Sequence, residues 1–219
     1  MNGRIYGPLL INLDKRTDRL KKAKDEFEKL DLNYIRISAT SQIKPVLGCM
    51  DSHCRCLEEF LKTDKYDAVM ICEDDVKFNT DKTTLHKHID EFMKGDGHVL
   101  CLGYYISRPT NWSELLHRSN DIQSRVCYIV KKEVAADLLD IWRKLYIYLI
   151  QNPIPPLKNW YSSLYNNLPI INKARDIYRG DQAWKILQQK YYFLIPKFHL
   201  VVQRPSYSDI EMCYVDYKV

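Results

Sequence analysis

Glycine is scarce in this chain, seven residues in 219, and no repeat or low-complexity tract appears; that excludes collagen-like and solenoid architectures. Long apolar runs are missing too. The longest candidate, Leu145 to Ile150, falls far short of a membrane span, and Met1 to Pro8 hold no stretch of signal-peptide length. The chain as given is therefore expected to be cytoplasmic, with no membrane span. Its richness in Lys, Ile, Asn and Tyr suggests an AT-rich bacterial or viral genome. Asn111-Trp112-Ser113 matches the glycosylation sequon, which carries little weight without a secretory signal. No basic stripe with interleaved aromatics is visible, so nucleic acid is not an expected partner. The seven cysteines are an odd count, and Cys54-Arg55-Cys56 lacks both zinc spacing and a second Cys/His pair nearby. Reduced, mostly buried thiols are expected.

What remains is a globular composition with 46% apolar and 12% aromatic residues, enough for one sizeable core and one domain over 1–219. The formal net charge of +5 mildly favours anionic ligands such as nucleotide diphosphates. Leu9 to Leu13 reads as a strand, followed by Leu20, Ala23, Phe27 and Leu30 at helical spacing and by a second strand over Tyr34 to Ala39. Residues 40–48 read as a loop, Cys49 to Leu61 as a helix, and Asp67 to Cys72 as a buried central strand that ends abruptly in three acids. Further on come a helix over Thr83 to Met93, a strand over His98 to Tyr105 and an irregular polar stretch from Arg108 to Asn120. A strand over Arg125 to Val130 then leads into a long amphipathic helix with Val134, Leu138, Trp142 and Leu149 on one face. The prolines at 153, 155 and 156 stop that helix and open a long aromatic loop to Arg179. A short helix over Asp181 to Gln189 and strand material over Tyr191 to Gln203, interrupted at Pro196, complete the pattern. Strands and helices alternate, as in an α/β fold.

The acids Glu73-Asp74-Asp75 emerge where open α/β sheets bind ligands, at the carboxyl edge. While the backbone stays extended, Glu73 and Asp75 share one side and Asp74 the other. Two carboxylates about 4 Å apart repel by about 4 kcal/mol at an effective dielectric of 20, so such a cluster calls for a cation. Oxygen ligands select hard ions, Mn²⁺ or Mg²⁺, which also bind diphosphate oxygens. The plain alternative is a solvated turn, or the N-cap of the next helix.

Three segments in order, Ile11-Asn12-Leu13-Asp14-Lys15-Arg16-Thr17-Asp18-Arg19, Gly48-Cys49-Met50-Asp51-Ser52-His53 and Val69-Met70-Ile71-Cys72-Glu73-Asp74-Asp75-Val76, together resemble glycosyltransferase family 25. That family includes lipooligosaccharide galactosyltransferases and collagen hydroxylysine galactosyltransferases. The match covers the first third of the chain well. It is looser at Arg125 to Leu139, at Gly180-Asp181-Gln182 and at the closing Gln203 to Ile210. The resemblance implies a GT-A-type, Rossmann-like mixed central sheet flanked by helices, with a nucleotide-sugar and metal half over 1–105 and an acceptor-side half over 106–219. It also implies a UDP-sugar donor (UDP-galactose or UDP-glucose), Mn²⁺ or Mg²⁺, inverting transfer, and a glycan or collagen-like hydroxylysine acceptor. A catalytically inactive nucleotide-sugar-binding scaffold is the alternative.

On this reading Asp75 is the direct metal ligand, Glu73 reaches the donor or the metal shell, and Asp74 orients them. Asn12 and Arg16 approach the donor past the first strand, with Arg19 a weaker candidate; a surface charge is the plain reading of either arginine. Ala39 matches a small residue beside base or ribose, and Ser52 and His53 face phosphate or brace the acidic turn, unless His53 is simply a satisfied core histidine. Asp181 is the candidate general base, with an N-cap as its plain role. His199 is a candidate third metal ligand or a structural histidine. Trp112, Trp160, Tyr161 and Tyr165 are candidate stacking platforms, Trp160 foremost.

Overall fold

The computed structural model describes residues 4–105, 108–151, 180–208, 210 and 213–216. Its centre is an eight-stranded mixed sheet with helices on both faces, so the expected α/β class with a mixed central sheet is observed. The strands are β1 (Ile5–Asn12), β2 (Ile35–Ser38), β3 (Ala68–Glu73), β5 (Val99–Tyr105), β6 (Thr110–Asn111), β7 (Leu116–Arg118), β8 (Gln123–Lys131) and β9 (Phe193–Pro196), in the order β2-β1-β3-β8-β5-β9-β7-β6. β1 pairs in parallel with β2 on one side and β3 on the other, and β8 runs antiparallel between β3 and β5.

Alternation along the strands sorts the core into two layers. Leu9, Ile11, Val69, Ile71, Cys101, Tyr128 and Val130 point to one face and are covered by α2 (Pro45–Leu61) and α4 (Lys132–Gln151). Leu10, Met70, Cys72, Leu100, Cys127 and Ile129 point to the other, under α1 (Thr17–Lys29) and α3 (Lys82–Lys94). Because α1 and α2 lie on opposite faces, the chain reverses its winding between β1 and β3. That reversal leaves a crevice at their carboxyl ends. On the covered side Arg143 of α4 ties α2 down, donating to Glu58 and to Asp51 at 2.6 Å each.

Several boundaries differ from the expectations. The loop expected over 40–48 is shorter, since α2 starts at Pro45, whose missing donor suits a first helical turn. Gly48 then falls inside α2, where an added Cβ would lie 2.2 Å from the Thr40 carbonyl oxygen, so only glycine lets helix and loop touch. The polar stretch after Arg108 contains β6 and β7, held by antiparallel pairing rather than by any apolar pattern of their own. The helix expected over Asp181 to Gln189 is one α turn, α5 (Gly180–Ala183), continued by a 3-10 run over Trp184–Gln189. Three short strands went unanticipated: β4 (Val76–Phe78), which pairs with β10 (Val201–Gln203), and the pair β11 (Ser206–Ser208) and β12 (Cys213–Val215). Each is too short to carry a periodic signal.

Among the described residues all seven cysteines are free thiols and five are buried, as the composition suggested. No described helix is long and apolar enough to cross a membrane. The aromatic loop expected over 152–179, with Trp160, Tyr161 and Tyr165, lies outside the described residues.

Candidate active site

A cavity of about 440 Å³ opens along the carboxyl edges of β1, β3 and β5 and the incoming end of β8. That size is in the roughly 300–1,000 Å³ range of small-molecule pockets. Its wall includes Asn12, Arg16, Ala39, Ser52, Glu73, Asp74, Asp75 and Asp181, so most of the residues singled out from sequence meet in one place. Four bases (Lys15, Arg16, Arg19, Arg125) and four acids (the acidic run and Asp181) line it. The wall therefore carries both signs of charge.

The acidic run does not stay extended. Glu73 closes β3, and Asp74 and Asp75 form a tight turn into β4. Nor is it a solvated turn, because Asp74 is 7% and Asp75 5% exposed. The turn splits the three carboxylates into two environments.

Glu73 faces α2. Its Oε1 lies 2.9 Å from His53 Nε2, while His53 Nδ1 lies 3.0 Å from the Tyr128 hydroxyl. Burial, aided by the charge of Arg125, pushes His53 down to about 4, so the ring is neutral at physiological pH. Burial alone would raise Glu73, but the His53 hydrogen bond and the charges of Arg125 and Arg19 outweigh it and hold the carboxyl at about 2. Glu73 is thus an acceptor, which makes Nε2 the protonated nitrogen of His53 and leaves Nδ1 to accept from Tyr128. His53 is therefore a satisfied interior histidine that braces the acidic turn, and it stands behind the cavity wall.

Asp74 and Asp75 face α1 and the C-terminal strands. Asp74 accepts from Asn12 Nδ2 at 2.7 Å and from Arg19 at 2.8 Å. Asn12 is itself 1% exposed and accepts from Arg36 Nε at 3.2 Å, so its role in the fold is to orient Asp74. Asp75 Oδ2 accepts from Gln203 at 3.0 Å and lies 3.7 Å from Arg19. Its other oxygen, Oδ1, is buried and has no hydrogen-bond partner. Burial and the neighbouring Glu73 charge push Asp75 up to about 7, against the pull of Arg19. Asp74 is raised as well, chiefly by burial. An unpartnered carboxylate oxygen among accumulated negative charge fits a hard cation.

The expected metal set needs one correction. Glu73, Asp75 and His199 are not gathered as a group, because the exposed His199 ring stacks on Tyr104 with centroids 4.3 Å apart and does not line the cavity. Among the described residues the metal-capable group whose donor atoms come within 4.8 Å of one another is Cys49, His53 and Glu73. Its atoms are already engaged: Cys49 Sγ accepts from Arg125 Nη2 at 3.2 Å, and both His53 nitrogens are satisfied. With the Arg125 charge beside it and the Cys49 thiol raised to about 12 by burial, this trio has no need of a further cation.

Ser52 is fully buried, accepting from the Thr40 amide at 2.9 Å and donating to the Gly48 carbonyl at 2.7 Å; it pins the loop carrying Ala39 against α2. Arg16 lines the cavity and pairs with Asp18 at 3.1 Å, whereas Arg19, the weaker sequence candidate, is the arginine that touches the acidic turn and ties it to Ser206 at 2.6 Å. Asp181 lies in the first turn of α5 and does not cap it; its Oδ2 accepts from the Ser124 amide at 3.1 Å, across to β8. Trp112 packs on Tyr192 against the core and does not line the cavity.

Sequence reasoning missed Arg125 and Gln203. Arg125 is 8% exposed, lies over the Trp142 ring at 5.3 Å, and occupies space that Gly180 leaves open: a Cβ there would stand 2.2 Å from Nη1, so the guanidinium would have to shift. Glycine before an aspartate was a visible hint; the partner it makes room for, 55 positions earlier, was not.

No family model matches this chain, and no curated protein does. Solved structures similar to it include A197 from STIV, at 15% identity and TM-score 0.46 over 88% of this chain and 81% of that one. Another is a glycosyltransferase involved in the glycosylation of the major capsid of PBCV-1, at 11% identity and TM-score 0.44 over 88% and 91%. A third is mannose-1-phosphate geranyltransferase from Thermus thermophilus, at 9% identity and TM-score 0.40 over 90% and 58%.

Proposed function

We propose that this protein is a metal-dependent, inverting glycosyltransferase that transfers a hexose, galactose or glucose, from a UDP-sugar to a hydroxyl acceptor. The observation that carries the reading is the buried acidic turn on the cavity wall, with Asp75 Oδ1 unpartnered at the carboxyl edge of β3. The segment resemblance to glycosyltransferase family 25 supplies the reaction class.

On this reading the β1 and β2 end of the cavity, with Asn12, Arg16 and Ala39, takes the nucleotide, and Arg16 hydrogen-bonds a phosphate or ribose. Mn²⁺ or Mg²⁺ held by Asp75, with Glu73 and Asp74 in support, would supply positive charge to a diphosphate leaving group. Glu73 keeps its charge through His53, so the turn is ready before any ligand arrives. At the β8 end Asp181 takes the proton of the acceptor hydroxyl as the acceptor oxygen bonds to the anomeric carbon. The bond from that carbon to the diphosphate oxygen breaks on the opposite face, its electron pair leaving with UDP. The Ser124 amide holds Asp181 in place for this step.

The test is UDP release from a panel of UDP-sugars with Mn²⁺, with Mg²⁺ and with chelator, beside calorimetric titration of UDP. Manganese-dependent UDP binding with release from one sugar supports the reading. Binding without turnover, even with acceptors supplied, favours the inactive scaffold, and no binding at all sinks both.

A further inference from the structure

We infer that the β5 end of the cavity is an acceptor subsite for a pyranose ring, with Tyr105 as its platform. This rests on the transferase reading, chooses the glycan over the hydroxylysine acceptor, and assigns the residue that recognises it. Tyr105 closes β5, is 58% exposed, and is the one aromatic side chain among the described residues that line the cavity. An exposed aromatic at the mouth of a ligand-sized cavity offers a flat apolar face that the core does not use.

The sheet order gives the distance. From β1 to β5 the cavity crosses β3 and β8, three strand intervals of about 4.8 Å, or about 14 Å in all. With a nucleotide at β1 and its diphosphate at β3, the transferred sugar falls near β8. The next ring along the line meets β5. Tyr105 is the register partner of Gln123 on β8, and Asp181 is held by the Ser124 amide on that same strand. A ring lying on Tyr105 therefore has a carboxylate and an amide side chain at its edge, the groups that read sugar hydroxyls. Gln123 is oriented for this, since its Oε1 accepts from Gln182 at 2.7 Å, which leaves its own amide hydrogens to donate.

At the Asp181 end, the buried guanidinium of Arg125 would disfavour a cationic hydroxylysine side chain relative to a neutral sugar. Arg125 is buried beside Asp181 and interacts with it electrostatically. An acceptor ammonium brought to Asp181 would meet that guanidinium in a poorly solvated space. A neutral pyranose meets no such penalty.

The experiment is saturation-transfer NMR on the intact protein with UDP and diamagnetic Mg²⁺. The probes are methyl β-galactopyranoside, methyl β-glucopyranoside and methyl α-mannopyranoside, compared with a hydroxylysine-containing Gly-X-Y peptide. UDP affinity is measured on every variant by calorimetry. The expected result is transfer to the ring protons of at least one pyranoside, weakened roughly fivefold or more in Tyr105→Ala and restored in Tyr105→Phe, which keeps the ring. UDP affinity should hold throughout, which separates loss of the platform from loss of the fold. Undiminished pyranoside signal in Tyr105→Ala overturns the role of Tyr105. Signal from the peptide alone, or from no acceptor while UDP binds, overturns the pyranose subsite and leaves the transferase reading standing. Absence of UDP binding in the wild type overturns both.

Discussion

Glu73 and Asp75 are separated by a single residue, yet they belong to opposite kinds of environment. On the α2 side, Glu73, His53, Tyr128, Cys49 and Arg125 form a network in which both His53 nitrogens, Glu73 Oε1 and the Cys49 thiol are engaged, Arg125 Nη1 alone is buried without a partner, and the carboxyl is held at about 2. On the α1 side, Arg19 is shared between two carboxylates, Asp75 keeps an unpartnered oxygen, and its carboxyl is pushed up to about 7. The first arrangement stabilises the folded chain. The second costs stability that a bound cation would return. A carboxylate whose charge is compensated by its neighbours marks support, and a buried carboxylate oxygen left unpartnered among negative charge marks a candidate ligand position.

The sharpest test of that contrast is to remove each charge with its shape kept. Asp75→Asn is expected to lower UDP-sugar turnover by about 100-fold or more. It should also raise stability by roughly 1–3 kcal/mol at pH 8 in chelator, since the neutral amide still accepts from Gln203. Glu73→Gln is expected to do the reverse to stability, costing about 2 kcal/mol, because it replaces the carboxylate that accepts from His53. Urea unfolding at fixed pH checks both. If the two substitutions shift stability in the same direction, the contrast fails.

The pH dependence separates the same two groups. Asp75 has a folded value raised from 3.8 to about 7, so its contribution is fully present below about 4 and is lost as the pH rises through 7. Glu73 is lowered from 4.5 to about 2, so its contribution is present above 4.5 and is lost as the pH falls toward 2. Metal-free protein should therefore lose stability progressively between about pH 4 and 7, and Mn²⁺ should flatten that decline by favouring the ionised Asp75. A thermal-melt series in chelator and in Mn²⁺ reads the slope directly. An unchanged slope in Asp75→Asn would assign the titration elsewhere. The smallest effect is expected at His199: with the ring stacked on Tyr104, His199→Ala should leave the Mn²⁺ concentration needed for half-maximal UDP binding within about twofold. A shift of tenfold would return His199 to the metal set.

Much of this was legible in the chain. The apolar run ending in three acids located the central strand and the cavity edge together, because a strand buried on both faces has no polar residues until it emerges. Helical spacing found α1, α2 and α4 for the same reason: each covers a sheet face and must be amphipathic. The short strands β4, β6, β7, β10, β11 and β12 were hidden or blurred because pairing holds them, and pairing depends on a partner far along the chain.

By itself, then, the sequence determined the α/β alternation and the position of Glu73-Asp74-Asp75 at a strand end. Periodicity and charge are local properties, readable one segment at a time. Only the tertiary structure decided that the acidic run turns and divides, that Arg19 rather than Arg16 meets it, that His53 is neutral, and that Arg125 and Gln203 line the cavity while His199 does not. Burial, charge state and hydrogen-bond partnership depend on what the rest of the chain brings within a few ångströms, and that is set by packing.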